Sequence, residues 1–223
     1  MDKKQLVKLI SYFIMGDGGV YSQNDKTYSF IMNMKQENED YVNWVTSVLS
    51  ELTEVKTKVQ PDYNTDGYKR KPLVRLWTKN HPLYAKMRER IYTDKYKGLD
   101  PHALKMLDYE ALSILYMCDG GFYIDPPSVK KGLVNPSYNI HLHMKRLSYG
   151  DQFLLKKALK ERLDLEWNIN RAGKYYMLRL RTKDVDKFME GVRPYILPSF
   201  NYKLKNPNEK PTNSGDDIVC SIQ

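Results

Sequence analysis

A chain of 223 residues with 41% hydrophobic and 12% aromatic residues can build one large or two half-size cores, which excludes a disordered tail. No apolar run reaches the roughly 18 residues of a membrane span, Met1–Gln5 lacks the pattern of a secretory signal, and two cysteines, Cys118 and Cys220, make no disulfide framework. Lysine and arginine number 36 against 27 acids, a net of +9 with pI near 9.3, which suits a polyanion such as nucleic acid; no basic amphipathic helix suggests a membrane surface.

The first predicted element is a helix over Lys3 to Met15. Leu6, Val7, Leu9, Ile10, Phe13 and Ile14 cover most of its circumference, so it is buried on several sides. Gly18 and Gly19 end it. A strand follows over Tyr28 to Lys35, with Phe30, Met32 and Met34 alternating against Asn33 and Lys35. A helix over Glu39 to Glu51 leads to a strand pair, Val55–Asp62 with Lys71–Thr78. Their connection, Tyr63 to Arg70, is long and ends basic. A helix over Pro82 to Tyr92 closes this half.

The same order then recurs. Asp108 is placed to cap a helix running to Met117, before Gly120 and Gly121. A strand spans Tyr138 to Lys145, with Ile140, Leu142 and Met144 on one side and Asn139, His141 and His143 on the other. Further elements are a helix over Tyr149–Leu163, strands over Glu166–Asn170 and Tyr175–Thr182 joined by a turn at Arg171–Lys174, and a helix over Val185–Pro194.

Four segments echo one another in order. ISYFIMGDGGVY at Ile10–Tyr21 matches LSILYMCDGGFY at Leu112–Tyr123. Tyr28–Lys35 matches Tyr138–Lys145, Arg75–Lys79 matches Arg179–Lys183, and Tyr96–Leu99 matches Tyr202–Leu204. The expected fold class is α+β: two pseudo-symmetric αββαββα units, 1–100 and 101–205, each with an antiparallel sheet covered by helices. Residues 206–223, rich in Pro, Asn and Ser, read as a flexible tail.

Both buried helices end in an acid, Asp17 or Asp119. If they form the interface between units, Ser11, Gly16, Ser113 and Cys118 let the backbones approach and the two acids meet. Carboxylates at two negative helix ends repel, a cost that a divalent cation relieves. Oxygen ligation with retained water suits Mg²⁺, which can activate water for phosphodiester hydrolysis.

Ile10–Gly18 and Leu112–Gly120 resemble the signature of the LAGLIDADG homing endonucleases, single-chain members with two motifs. Tyr195–Leu204 resembles the close of a yeast mitochondrial intron-encoded member. Tyr12 and Ile114 depart from the small residue usual at the third signature position. The resemblance implies saddle-shaped sheets over double-stranded DNA, a monomer with internal pseudo-twofold symmetry, and cleavage of both strands at a long asymmetric site with short 3′ overhangs. It implies Mg²⁺, with Mn²⁺ able to substitute, on Asp17, Asp119 and the carbonyls of Gly16 and Cys118. Paired basic residues follow at Lys97 and Lys203, with Lys95 competing for the first place.

DNA-reading side chains are expected at Asn33, Lys35, Arg75, Asn139, His141, His143, Lys145, Arg179 and Arg181. Phosphate contacts are expected at Lys56, Lys58, Lys69, Arg70, Lys71, Lys130 and Lys131. The histidine pair alone is a weak zinc signal. The expected setting is a bacterial or phage-infected cytoplasm or an organellar matrix. A maturase for intron RNA, a non-cleaving DNA binder and a structural basic protein are the rival readings.

Overall fold

The computed structural model describes residues 1–22, 24, 26–61, 63–65, 68–93, 96–125 and 137–204. The expected tail at 206–223, Lys95, Lys130, Lys131, Cys220 and the side chains of Lys69 and Arg70 lie outside the described residues.

Helix α1 (Lys3–Met15) starts where the Asp2 carboxylate accepts from Gln5 N at 2.8 Å. Everything from Lys8 to Met15 is buried, because its faces meet both halves of the molecule. Strands β1 (Gly19–Tyr21) and β2 (Ser29–Lys35) follow, then α2 (Glu39–Ser50) and β3 (Val55–Gln60). The connection read as a loop at Tyr63–Arg70 is a small hairpin, β4 (Tyr63–Thr65) with β5 (Tyr68–Arg70). Strand β6 (Leu73–Thr78) precedes α3 (Pro82–Ile91), and β7 (Tyr92–Thr93) pairs with β8 (Tyr96–Lys97). The first sheet runs β1-β2-β6-β3 and is antiparallel throughout. Phe30, Met32, Met34, Val74 and Leu76 face the helices and are buried, while Asn33 and Arg75, cross-strand partners, are exposed.

The short helix α4 (Pro101–Leu104) leads to α5 (Tyr109–Asp119), capped by Asp108 as expected, through a bond from Ala111 N. Strands β9 (Gly120–Asp125) and β10 (Ser137–Leu142), helix α6 (Tyr149–Leu163), β11 (Trp167–Ala172), β12 (Tyr175–Leu180) and α7 (Val185–Val192) complete the order. The second sheet runs β11-β12-β10-β9, again antiparallel. Strand β10 ends three residues before the expected Lys145; one further bond, from His143 N to Asp119 O at 2.7 Å, continues its register to the end of α5.

Two points refine the sequence expectations. First, Gly18, Gly19, Gly120 and Gly121 follow the helix ends as expected, but without a positive φ; among the described residues only Gly173 has a positive φ as a glycine, at the two-residue turn between β11 and β12. Gly18 and Gly120 provide space instead. A Cβ at Gly18 would lie 2.5 Å from the Phe30 ring, and one at Gly120 would lie 2.1 Å from the Tyr116 ring. Second, Arg75–Lys79 and Arg179–Lys183 are similar but not equivalent. Gly19 pairs with Ile31 and Ile31 with Trp77, whereas Gly121 pairs with His141 and His141 with Arg179. Arg179 therefore matches Trp77, two residues on. A shift of two keeps a side chain on the same face, so alternation alone did not reveal it.

The C-terminal segment is fastened across the molecule. Ser199 N and Oγ donate to the Asp40 carboxylate at 2.9 and 2.6 Å, at the start of α2. Asp40→Ala should lower unfolding stability by about 1–3 kcal/mol, measured by urea titration; an unchanged midpoint would show that this tie contributes nothing.

Candidate active site

Helix α1 packs against α5. The approach is tightest at Gly16, where a Cβ would lie 2.7 Å from Cys118 Sγ. Tyr12 and Ile114 are both wholly buried, and Tyr12 turns away to donate its hydroxyl to Ala103 O at 3.1 Å. Close packing thus rests on Gly16 and Cys118. Ser11 and Ser113 are occupied elsewhere, donating to Asp100 Oδ2 at 3.0 Å and to Glu110 O at 2.7 Å.

The acids come next in the chain at this junction. Asp17 is exposed, although protein packs closely around its carboxylate. The protein around it and the charge of Asp119 together hold its pKa above the usual carboxylate value. Asp119 is paired: Arg146 Nη1 donates to its Oδ2 at 2.9 Å. The Cys118 thiol lies beside Asp17 and 3.3 Å from the buried Tyr41 hydroxyl. Burial pushes that thiol well above its ordinary value, so it stays protonated.

Each helix end carries one lysine. Lys97 Nζ donates to Gly16 O at 2.6 Å and Gly18 O at 2.8 Å. Lys203 Nζ donates to Met117 O at 2.7 Å, Gly120 O at 2.9 Å and Tyr116 O at 3.2 Å. Cations at the negative ends of helices satisfy carbonyls that the helix leaves open. Burial and the Arg146 charge lower Lys97 to about 8.

Two neighbouring carboxylates form a hard-oxygen donor set suited to a divalent cation. Among the described residues no three His, Cys, Asp or Glu side chains gather as a metal site. The protein therefore offers two acids plus carbonyls, and His141 with His143 make no zinc site. The Gly16 carbonyl, expected as a ligand, already accepts from Lys97, so a cation there shares that oxygen.

The outward sheet faces flank this junction. Lys35 and Lys145 are exposed, and Lys35 lies 3.5 Å from Glu37. On the first sheet, Tyr21, Ile31, Lys58, Arg75 and Trp77 line a groove of about 680 Å³. On the second, Arg179 donates to Asn139 Oδ1, and Asn139 Nδ2 donates to Asp125 at 3.0 Å. Asn139 was expected to be an open reading group but is 3% exposed, because these two neighbours cover it. Arg181 lies past the end of β12 and pairs with Glu166 at 2.7 Å. Lys56 and Lys71 lie against Glu54 and Glu37. His143 Nε2 and the Tyr123 hydroxyl are 2.9 Å apart, and the His141 ring lies 5.0 Å from Tyr123.

Burial, then the charges of His143 and Arg179, lower His141 to about 4. The unfolded chain accepts a proton near pH 6.5 that the folded imidazole refuses until about 4. Stability from this group is therefore complete above pH 6.5 and falls as pH drops towards 4. His141→Asn should flatten that part of the curve in thermal melts; an unaltered slope would remove His141 from the acid response.

Sequence reasoning missed Arg146 and Trp77. Arg146 directly follows the recognised Lys145, and Trp77 alternates with Arg75 on the outward face, so both carried a signal.

Residues 10–188 match a model described as the LAGLIDADG DNA endonuclease family. Protein RecA of Mycolicibacterium chitae is 29% identical over 196 residues, which is 86% of this chain and 44% of that protein. Protein RecA of Mycolicibacterium flavescens gives the same figures, so the chain spans less than half the length of these relatives. The homing endonuclease I-WcaI bound to its DNA recognition sequence shares the fold with a TM-score of 0.72 at 21% identity, over 92% of this chain and 87% of that one. The LAGLIDADG meganuclease I-AabMI bound to uncleaved DNA gives 0.52 at 13% identity, over 86% and 85%. I-DmoI in complex with DNA and Mn gives 0.50 at 18% identity, over 86% and 97%.

Proposed function

This chain belongs to the LAGLIDADG DNA endonuclease family, and on that premise we propose that it is a site-specific homing endonuclease that cuts both strands of a long asymmetric DNA site. The observation that supports the reading most is the meeting of Asp17 and Asp119 at the ends of two helices packed through Gly16 and Cys118. We assign the two halves to 1–100 and 101–205, acting as one monomer with internal pseudo-twofold symmetry.

Asp17 and Asp119, with the Gly16 and Cys118 carbonyls, would hold Mg²⁺ or Mn²⁺. A bound divalent ion supplies an activated water and charge stabilisation at the phosphate. Hydrolysis would add one water molecule across one P–O ester bond in each strand, leaving short 3′ overhangs. Lys97 and Lys203 keep positive charge beside the carboxylates, where a phosphate's negative charge develops. Asn33, Arg75, His141, His143 and Arg179 lie on the outward sheet faces and read base edges in the major groove. Lys35, Lys58 and Lys145 meet phosphates.

The test joins the DNA that flanks this open reading frame on either side, removing the insertion, and places that junction in a supercoiled plasmid. With Mg²⁺ the protein should linearise the plasmid at the junction, and a chelator should prevent it. Binding of the junction without cutting, at any divalent ion concentration, would leave a DNA-binding protein and end the nuclease reading.

A further inference from the structure

The two halves of the site are not electrostatically equal. Asp119 has an arginine at 2.9 Å, whereas among the described residues no cation lies within ion-pair distance of Asp17. The offset that places the first residue of α2, Glu39, on that of α6, Tyr149, places Gln36 on Arg146. Gln36 is exposed, and its backbone N donates to Pro72 O at 3.0 Å. The second half thus has a cation where the first has a neutral amide.

Arg146 is also under-used. Its side chain is 26% exposed and only Nη1 has an acceptor; Nε and Nη2 are buried without one. A guanidinium with two buried, unmatched N–H edges is costly to hold in place. Its one matched bond is the ion pair with Asp119.

We propose that Arg146 is a positioning residue that acts as an internal counter-cation: it holds the Asp119 carboxylate in the metal-free protein and competes with a divalent ion for it. Asp17 has no such competitor. The ion therefore meets a guanidinium on the Asp119 half that the Asp17 half lacks, and the two strands are cut at unequal rates. This rests on the nuclease reading for its strand consequence, but the competition itself does not need DNA.

The test is calorimetric titration of the DNA-free protein with Mn²⁺, comparing the wild type with Arg146→Gln. Loss of the competing charge-assisted bond should tighten binding about tenfold. Arg146→Lys, which keeps the charge, should stay within about twofold of the wild type. Gln36→Arg, at an exposed position that folding tolerates, should weaken Mn²⁺ binding instead. Strand-specific end-labelling of the cognate duplex should show that Arg146→Gln changes the ratio of the two nicking rates by about tenfold. Unchanged Mn²⁺ affinity in both Arg146→Gln and Gln36→Arg would overturn the proposal. If Mn²⁺ binding tightens as expected but no DNA is cut by any form, the competition stands and the nuclease reading fails.

Discussion

Asp17→Asn and Asp119→Asn should each reduce cleavage by about a thousandfold or more, with DNA binding retained. An amide is a poor metal ligand, and the stabilisation a divalent ion lends to phosphate hydrolysis amounts to several kcal/mol. The two variants should differ in stability, which separates chemistry from folding. Asp17→Asn removes a carboxylate whose pKa is raised by the protein packed around it and by Asp119, so its melting temperature should hold or rise. Asp119→Asn leaves the part-buried Arg146 without its anion, so it should melt earlier. Gel-shift binding, plasmid linearisation and thermal melts on the same preparations check all three statements. Cleavage within tenfold of the wild type in either variant would remove that acid from the site.

Lys203→Met should be the most damaging change outside the acids. Lys203 is 8% exposed and its ammonium donates to three carbonyls at the end of α5. Tyr116 returns the tie, donating its hydroxyl to Lys203 O at 2.6 Å. Methionine fits the volume but leaves those carbonyls without a partner, costing about 2–4 kcal/mol. It also removes positive charge from one side of the phosphate site, so cleavage of one strand should fall about a hundredfold. Lys97→Met should do less to stability, since Lys97 serves two carbonyls and is already easily deprotonated, at about 8. Denaturant titration with strand-resolved cleavage measures both effects. Equal loss on both strands would show that Lys203 is a structural post and not the partner of one strand.

The helices and the inward faces of the strands were legible in the sequence because their signals are local. Asp108 caps as its position suggests, and α6 covers its expected span. Phe30, Met32 and Met34, like Ile140, Leu142 and Met144, are buried as alternation requires. The hairpin at Tyr63–Arg70 was not read, although Asp66-Gly67 at the centre of that segment carries a two-residue turn signal. Nor was the two-residue offset of Arg179, because similar residues recur on the same face with the strand period.

The two acids and two lysines could be picked out as candidates because duplication repeats them, and the fold gathers them at the two helix ends. Arg146 escaped for the opposite reason: it belongs to one half only, and its pairing with Asp119, 27 residues away, is set by tertiary packing. Asn139 was misjudged because burial on an outward face depends on its neighbours Arg179 and Asp125, not on its own position in the strand.

The central claim is that one divalent-ion site spans the two helix ends. Anomalous diffraction from crystals of the protein with its duplex and Mn²⁺ measures this directly. The strongest peak should lie between the Asp17 and Asp119 carboxylates. Manganese bound elsewhere, with no density between these acids, would contradict it.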